Sequence, residues 1–230
     1  MMEQLITSPF FGIALTALAY ALGMKIQKRT GLVICNGLVL ATIIVIIVLT
    51  VFHIPYEAYY AGGSVINLFL SPATVCLAVS IYNKKDILKK NLLPVLAGCT
   101  AGSVASVLSV ALGCRLFGLD RALTASLLPK SVTTPIATAL AEGHGGIISI
   151  TATAVIFTGM VGNLMAPFLI RAFRIKSPLE AGLGIGTCSH ALGTAKAMEL
   201  GEAEGAMSSV AIGLCGVITT ILALFFEYLL

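Results

Sequence analysis

Six apolar runs of membrane-spanning length constrain this chain more than anything else in it: Leu5–Met24, Leu32–Phe52, Ser64–Tyr82, Leu92–Leu116, Gly146–Ile170 and Ala203–Leu229. A helix needs about 20 apolar residues to cross the hydrocarbon core of a bilayer. Backbone in lipid must satisfy its own hydrogen bonds, which a helix does and an open sheet edge does not. The runs are continuous rather than alternating, which argues against a membrane barrel. Only 10% of the residues are charged and mean hydropathy is +1.02, far from the composition of a soluble domain. The expectation is an all-α integral membrane protein of about six transmembrane helices. The first run lacks a basic leader and a cleavage site, so it reads as a retained span.

Two further segments are interrupted by polar and helix-breaking residues. The first, 120–143, contains Ser126–Ala137 (SLLPKSVTTPIA), and the second is 177–201 (SPLEAGLGIGTCSHALGTAKAMELG). Pro129 and Pro135 cannot donate backbone hydrogen bonds and disfavour helix just ahead of themselves. At membrane depth such backbone is tolerated only where protein buries it or where it lines a watery cavity. A shift of 58 places Ser131 on Ser189, Ala137 on Ala195, Ala139 on Ala197 and Gly143 on Gly201, and each interrupted segment is followed by a clean span. If both segments dip in and return, the loops at 25–29, 84–90 and 171–176 share one side and hold ten of the fourteen Lys and Arg residues. The positive-inside rule makes that side cytoplasmic. The expected architecture is therefore two re-entrant hairpins in an inverted repeat, as in secondary transporters.

Hairpin tips present free N–H groups and the positive end of a helix dipole, both favourable to anions. Lys130 adds a full charge, and Ser131, Thr133, Thr134, Ser189 and Thr194 add hydroxyl donors. An ionisable side chain within a membrane is a functional candidate by default, although Lys130 could also snorkel or pair with Glu142. His190 reads as a proton carrier or as a packed core histidine, and Lys196 as a side chain reaching the interface. Asn163 and Asn67 are candidates to line the site, or amides bonding between helices. Pro72, Pro129, Pro135, Gly186 and Gly193 are the expected hinges and turns. Tyr56, Tyr59 and Tyr60, in the link 53–63, suit an interfacial aromatic belt.

The six cysteines form no CxxC pair and read as small buried hydrophobes, so neither a metal site nor a cofactor is expected. A net charge of +4 without an aromatic-interleaved basic patch gives no reason to expect nucleic acid as a partner. No catalytic triad, P-loop or zinc motif is present, so no enzymatic activity is expected.

Three stretches, Leu70–Tyr82 (LSPATVCLAVSIY), Leu127–Ala137 (LLPKSVTTPIA) and Gly186–Ala197 (GTCSHALGTAKA), resemble the LrgB/CidB family, and the resemblance covers nearly the whole chain. Ser71, Ser80 and Ala191 depart from the family's pattern. The resemblance implies a single LrgB-like domain over 1–230, with four N-terminal spans in 1–118 and hairpin-plus-span repeats at 120–172 and 177–229. It implies a bacterial cytoplasmic membrane protein, a smaller LrgA/CidA-like membrane partner and a homo-oligomer. Family members are labelled holin/antiholin-like, modulating murein hydrolase export and autolysis, while related proteins look like bacterial pyruvate carriers and the plastid glycolate/glycerate translocator. Two expectations follow. The leading one is a secondary carrier of small carboxylates of the pyruvate, glycolate, glycerate or lactate type, coupled to H+ or Na+. The alternative is a holin/antiholin-like pore component.

Overall fold

The computed structural model describes residues 8–31, 37–69 and 85–230, together with the single positions Ile6, Pro72, Val75, Cys76, Val79 and Tyr82. Most of the Leu70–Tyr82 motif, with Ser71 and Ser80, lies outside the described residues, as do Cys35, Asn36 and Lys84. Among the described residues all regular structure is helical. The chain separates into two compact units, 1–74 and 75–230.

In the first unit, α1 (Pro9–Thr30) starts where Ser8 Oγ accepts from the Phe10 N–H at 3.4 Å, with Pro9 in the first turn. It ends at Gly31, whose φ of 64° is the left-handed cap that glycine adopts freely. Lys28 and Arg29 sit in its last turn, against the negative end of the dipole. α2 is Gly37–Val51. α3 is Tyr56–Asn67, so the stretch read from sequence as a link is mostly helix. Pro55 opens it at a position where a missing N–H costs nothing. Gly12 of α1 lies so close to Tyr59 and Gly62 of α3 that a Cβ would strike their backbone. The Thr16 hydroxyl bonds Tyr59 OH at 2.9 Å across the same contact. Close approach of small residues is how helices associate in lipid, where burial alone supplies little drive. Tyr56 and Tyr60 stack 5.6 Å apart on the exposed side.

The second unit runs α4 (Lys85–Lys90), α5 (Leu92–Leu116), α6 (Arg121–Leu127), α7 (Thr134–Gly143), α8 (Ile148–Ala172), α9 (Pro178–Leu200), α10 (Glu202–Ala223) and a closing 3-10 turn, Phe226–Tyr228. Four of the described helices, α1, α5, α8 and α10, are long and apolar enough to span a membrane. They correspond to four of the six runs read from sequence. α2 covers part of the second run, and the third is described only in part, its first four residues closing α3.

α6 and α7 fold back on each other. Asp120 caps α6, its Oδ1 accepting from the Leu123 N–H at 2.7 Å. Beyond the end of α7, Gly146 lies against the backbone of Ala125 and Ser126, and the Ile147 N–H donates to Ser126 Oγ at 2.7 Å. α7 therefore returns to the level of α6. α9 is bent into two arms, 178–189 and 191–200, at His190, whose φ of 40° and ψ of −138° are not helical. Gly193 in the second arm touches Ile185 in the first, an approach that a straight helix forbids.

α9 begins and ends beside the first turns of α10: Gly182 in its first arm lies against Glu204, and Met198 in its second against Gly205. The base of the α6–α7 hairpin lies at the other end of α10. There His144 Nε2 is 3.1 Å from the Ala223 carbonyl, and Arg121 pairs with Glu227. α5 runs alongside α10, with Val95 and Cys99 packed on Met207, Val210 and Cys215, and Val107, Ala111 and Cys114 packed with Ala223 and Phe226.

Candidate functional site

The first tip is the six-residue turn between α6 and α7. Pro129 is fully buried there, and Val132 N–H closes a turn onto its carbonyl at 3.3 Å. Ser131 Oγ lies 2.6 Å from Ser106 Oγ, near the middle of α5. The tip thus reaches mid-depth of a spanning helix. Lys130 Nζ is 3.4 Å from Ser131 Oγ. Among the described residues no carboxylate pairs with it, and Glu142 lies exposed at the far end of α7. Thr133 is the N-cap of α7, yet its side chain caps nothing; Pro135 occupies the first turn. Thr134 is half-buried in the same turn, its carbonyl taking the Thr138 hydroxyl at 2.8 Å.

The second tip centres on His190. Its ring Nε2 is 2.9 Å from the Val155 carbonyl of α8, which fixes the proton on Nε2 in the neutral ring. Thr194 Oγ1 donates to the His190 carbonyl at 3.0 Å and lies 2.7 Å from Ser208 Oγ of α10. Because the Thr194 proton is spent on the carbonyl, Ser208 is the donor in that pair. Asn163 Nδ2 donates to the Leu192 carbonyl at 2.9 Å. Ser189 is buried against Gly162, where a Cβ would collide with its side chain, and a Cβ on Gly159 would stand 2.6 Å from His190 Cε1. α8 accepts this tip only because both positions are glycine.

The tips meet on α8. Val155 packs its side chain with Val132 and Ala137 of the first hairpin and gives its carbonyl to His190 of the second. Between the tips, α5 and α10 runs a narrow crevice in which Ser103, Ser106, Ser131, Thr187 and Thr219 are interspersed with Val107, Leu128, Val132 and Cys215. Among the described residues no His, Cys, Asp and Glu cluster could hold a metal ion.

Of the residues singled out from sequence, Lys130, Ser131, Thr133, Thr134, Ser189, His190, Thr194 and Asn163 sit on or against the two tips, together with Pro129 and Pro135. Gly186 is not at the turn; it packs on the backbone of Ser208, and Gly193 lies in the returning arm. Lys196 forms an ion pair with Glu199 at 2.8 Å. Asn67 is exposed at the end of α3, in the other unit, and Pro72 is exposed. Ser103 and Ser106 went unnoticed in sequence because they sit in a Gly, Ala and Ser-rich run that reads as packing. Thr187, two residues before Ser189, also faces the crevice. The Gly159–Gly162–Asn163 spacing was the available signal on α8.

Comparison with known proteins matches residues 16–229 to the LrgB-like family. The chain is 38% identical to the antiholin-like protein LrgB of Bacillus cereus (strain B4264) over 215 residues, 93% of this chain and 94% of that protein. The antiholin-like protein LrgB of Bacillus anthracis (strain A0248) matches to the same extent. No solved structure matches the chain. Spanning helices, interrupted segments and sequence relatedness agree, and this membrane protein belongs to the LrgB-like family.

Proposed function

We propose an antiholin-like role in the bacterial cytoplasmic membrane, exercised through the passage of small carboxylates between the two hairpin tips. The names of the relatives speak for the antiholin-like half of this reading, and speak for it more strongly than for transport. The carrier half rests on one observation: two bent segments, based at opposite ends of α10, bring Lys130 and a row of hydroxyls together at mid-depth. On this reading both segments are re-entrant and form an inverted repeat, the design that places substrate at a repeat interface. A pore that merely breaches the membrane needs no such pair of tips. Lys130 supplies the charge for an anion, and its lack of a carboxylate partner among the described residues suits a ligand that brings one negative charge. A smaller LrgA-like membrane subunit and self-association complete the proposal.

The test is uptake of labelled pyruvate, glycolate, glycerate and lactate into proteoliposomes, with and without an LrgA-like subunit. Saturable uptake of at least one acid is expected, lowered tenfold or more by Lys130→Ala and by Ser189→Ala. Unselective leakage of large and small solutes, indifferent to both substitutions, would leave the pore reading standing alone.

A further inference from the structure

The N-terminus of α7 carries an unused hydrogen-bonding set. Thr133 is its N-cap, with extended backbone at φ −64° and ψ 149°. In that position a threonine hydroxyl ordinarily accepts from an N–H of the first turn. Pro135 has no N–H to give, which leaves Ile136 as the natural donor, yet Thr133 Oγ1 takes no hydrogen bond from it. The hydroxyl is instead fully shielded, on a residue only 7% exposed, and it is the one buried side-chain oxygen or nitrogen among the described residues without a partner. Buried hydroxyls are almost always bonded, and leaving one unpaired costs folding free energy. A helix of ten residues stands behind it, with its positive dipole end at the tip.

The geometry points to a carboxylate seat at the start of α7, in which one carboxylate oxygen accepts from the Thr133 O–H and from the first-turn N–H of Ile136. Lys130, three residues earlier on the same tip, neutralises the charge without having to form a direct bond. The inference rests on the small-carboxylate reading and deepens it by assigning the end of the substrate that carries the charge. A missing capping bond suits this arrangement, because a hydroxyl that capped its own helix would take up the Ile136 N–H that the carboxylate is to use.

Thr133→Val keeps the shape of the side chain and removes the orphaned hydroxyl; Thr133→Ser keeps the hydroxyl. The full-length protein in detergent is melted alone, with increasing pyruvate, and with glycerol as an uncharged control. The unliganded Thr133→Val protein is expected to melt at or above the wild-type temperature. Pyruvate is expected to raise the melting temperature of wild type and Thr133→Ser but not of Thr133→Val, and glycerol to raise none. An equal pyruvate shift in Thr133→Val overturns the seat. So does an unliganded Thr133→Val that melts below wild type, because its hydroxyl would then have a structural partner, and so does a wild type that pyruvate does not stabilise. Binding is measured here apart from uptake, so a protein that binds pyruvate through Thr133 but moves none would sink the carrier reading and leave the seat intact.

Discussion

His190 occupies a backbone conformation that side chains rarely adopt, φ 40° and ψ −138°, and it does so at the point where α9 reverses. Residues in such regions cost about 1–3 kcal/mol and persist where their surroundings hold them. What holds this one is the Nε2 bond to the Val155 carbonyl and the Gly159 gap that admits the ring. Two substitutions separate strain from bonding. His190→Gly loses a bond worth about 0.5–1.5 kcal/mol but relaxes the backbone, so it is expected to melt close to wild type. His190→Ala loses the bond and keeps the strain, and is expected to be the least stable of the three by about 1 kcal/mol or more. Thermal unfolding in detergent orders them, and an alanine variant as stable as the glycine variant would mean the turn is unstrained. From sequence, Gly186 and Gly193 were the obvious places for a turn, because glycine is the usual occupant of positive φ. A histidine doing so is visible only in three dimensions.

Among the elements, α8 is the one whose surface decides where the second tip rests. Gly162 leaves room for the Ser189 side chain and for nothing more. Gly162→Ala is expected to destabilise the protein by about 1–3 kcal/mol through overpacking. Ser189→Gly in the same chain is expected to recover most of that loss, a coupling that a double-mutant cycle measures. Additive effects would show that the tip is not seated on this face. The broken elements themselves were legible: Pro129, Pro135 and the glycines of 177–201 mark both interruptions against an apolar background. Their partners were less so, since Ser103 and Ser106 of α5 face the crevice from a helix whose composition suits plain lipid packing equally well. The helix α3 was also hidden, its Tyr and Glu content imitating a loop.

At the level of the molecule, apolar length alone predicted an all-helical membrane protein, and the four long helices follow from it. Which segments cross is a question of loop charge as well as length, and it has a direct check in the second unit. Single cysteines placed at 171–176 are expected to label only from the cytoplasmic side, and cysteines at 118–120 only from outside; the same sidedness for both would remove the re-entrant topology. The crevice between the tips bears on what such a membrane can hold. Its walls already touch where Ser131 is hydrogen-bonded to Ser106. If the tips rest in the membrane as closed as they are here, a cell could carry many copies of the protein without an open path through this crevice. On the carrier reading proposed above, each solute that passes requires the tips to part and close again, so throughput would be counted in conformational cycles rather than in open time.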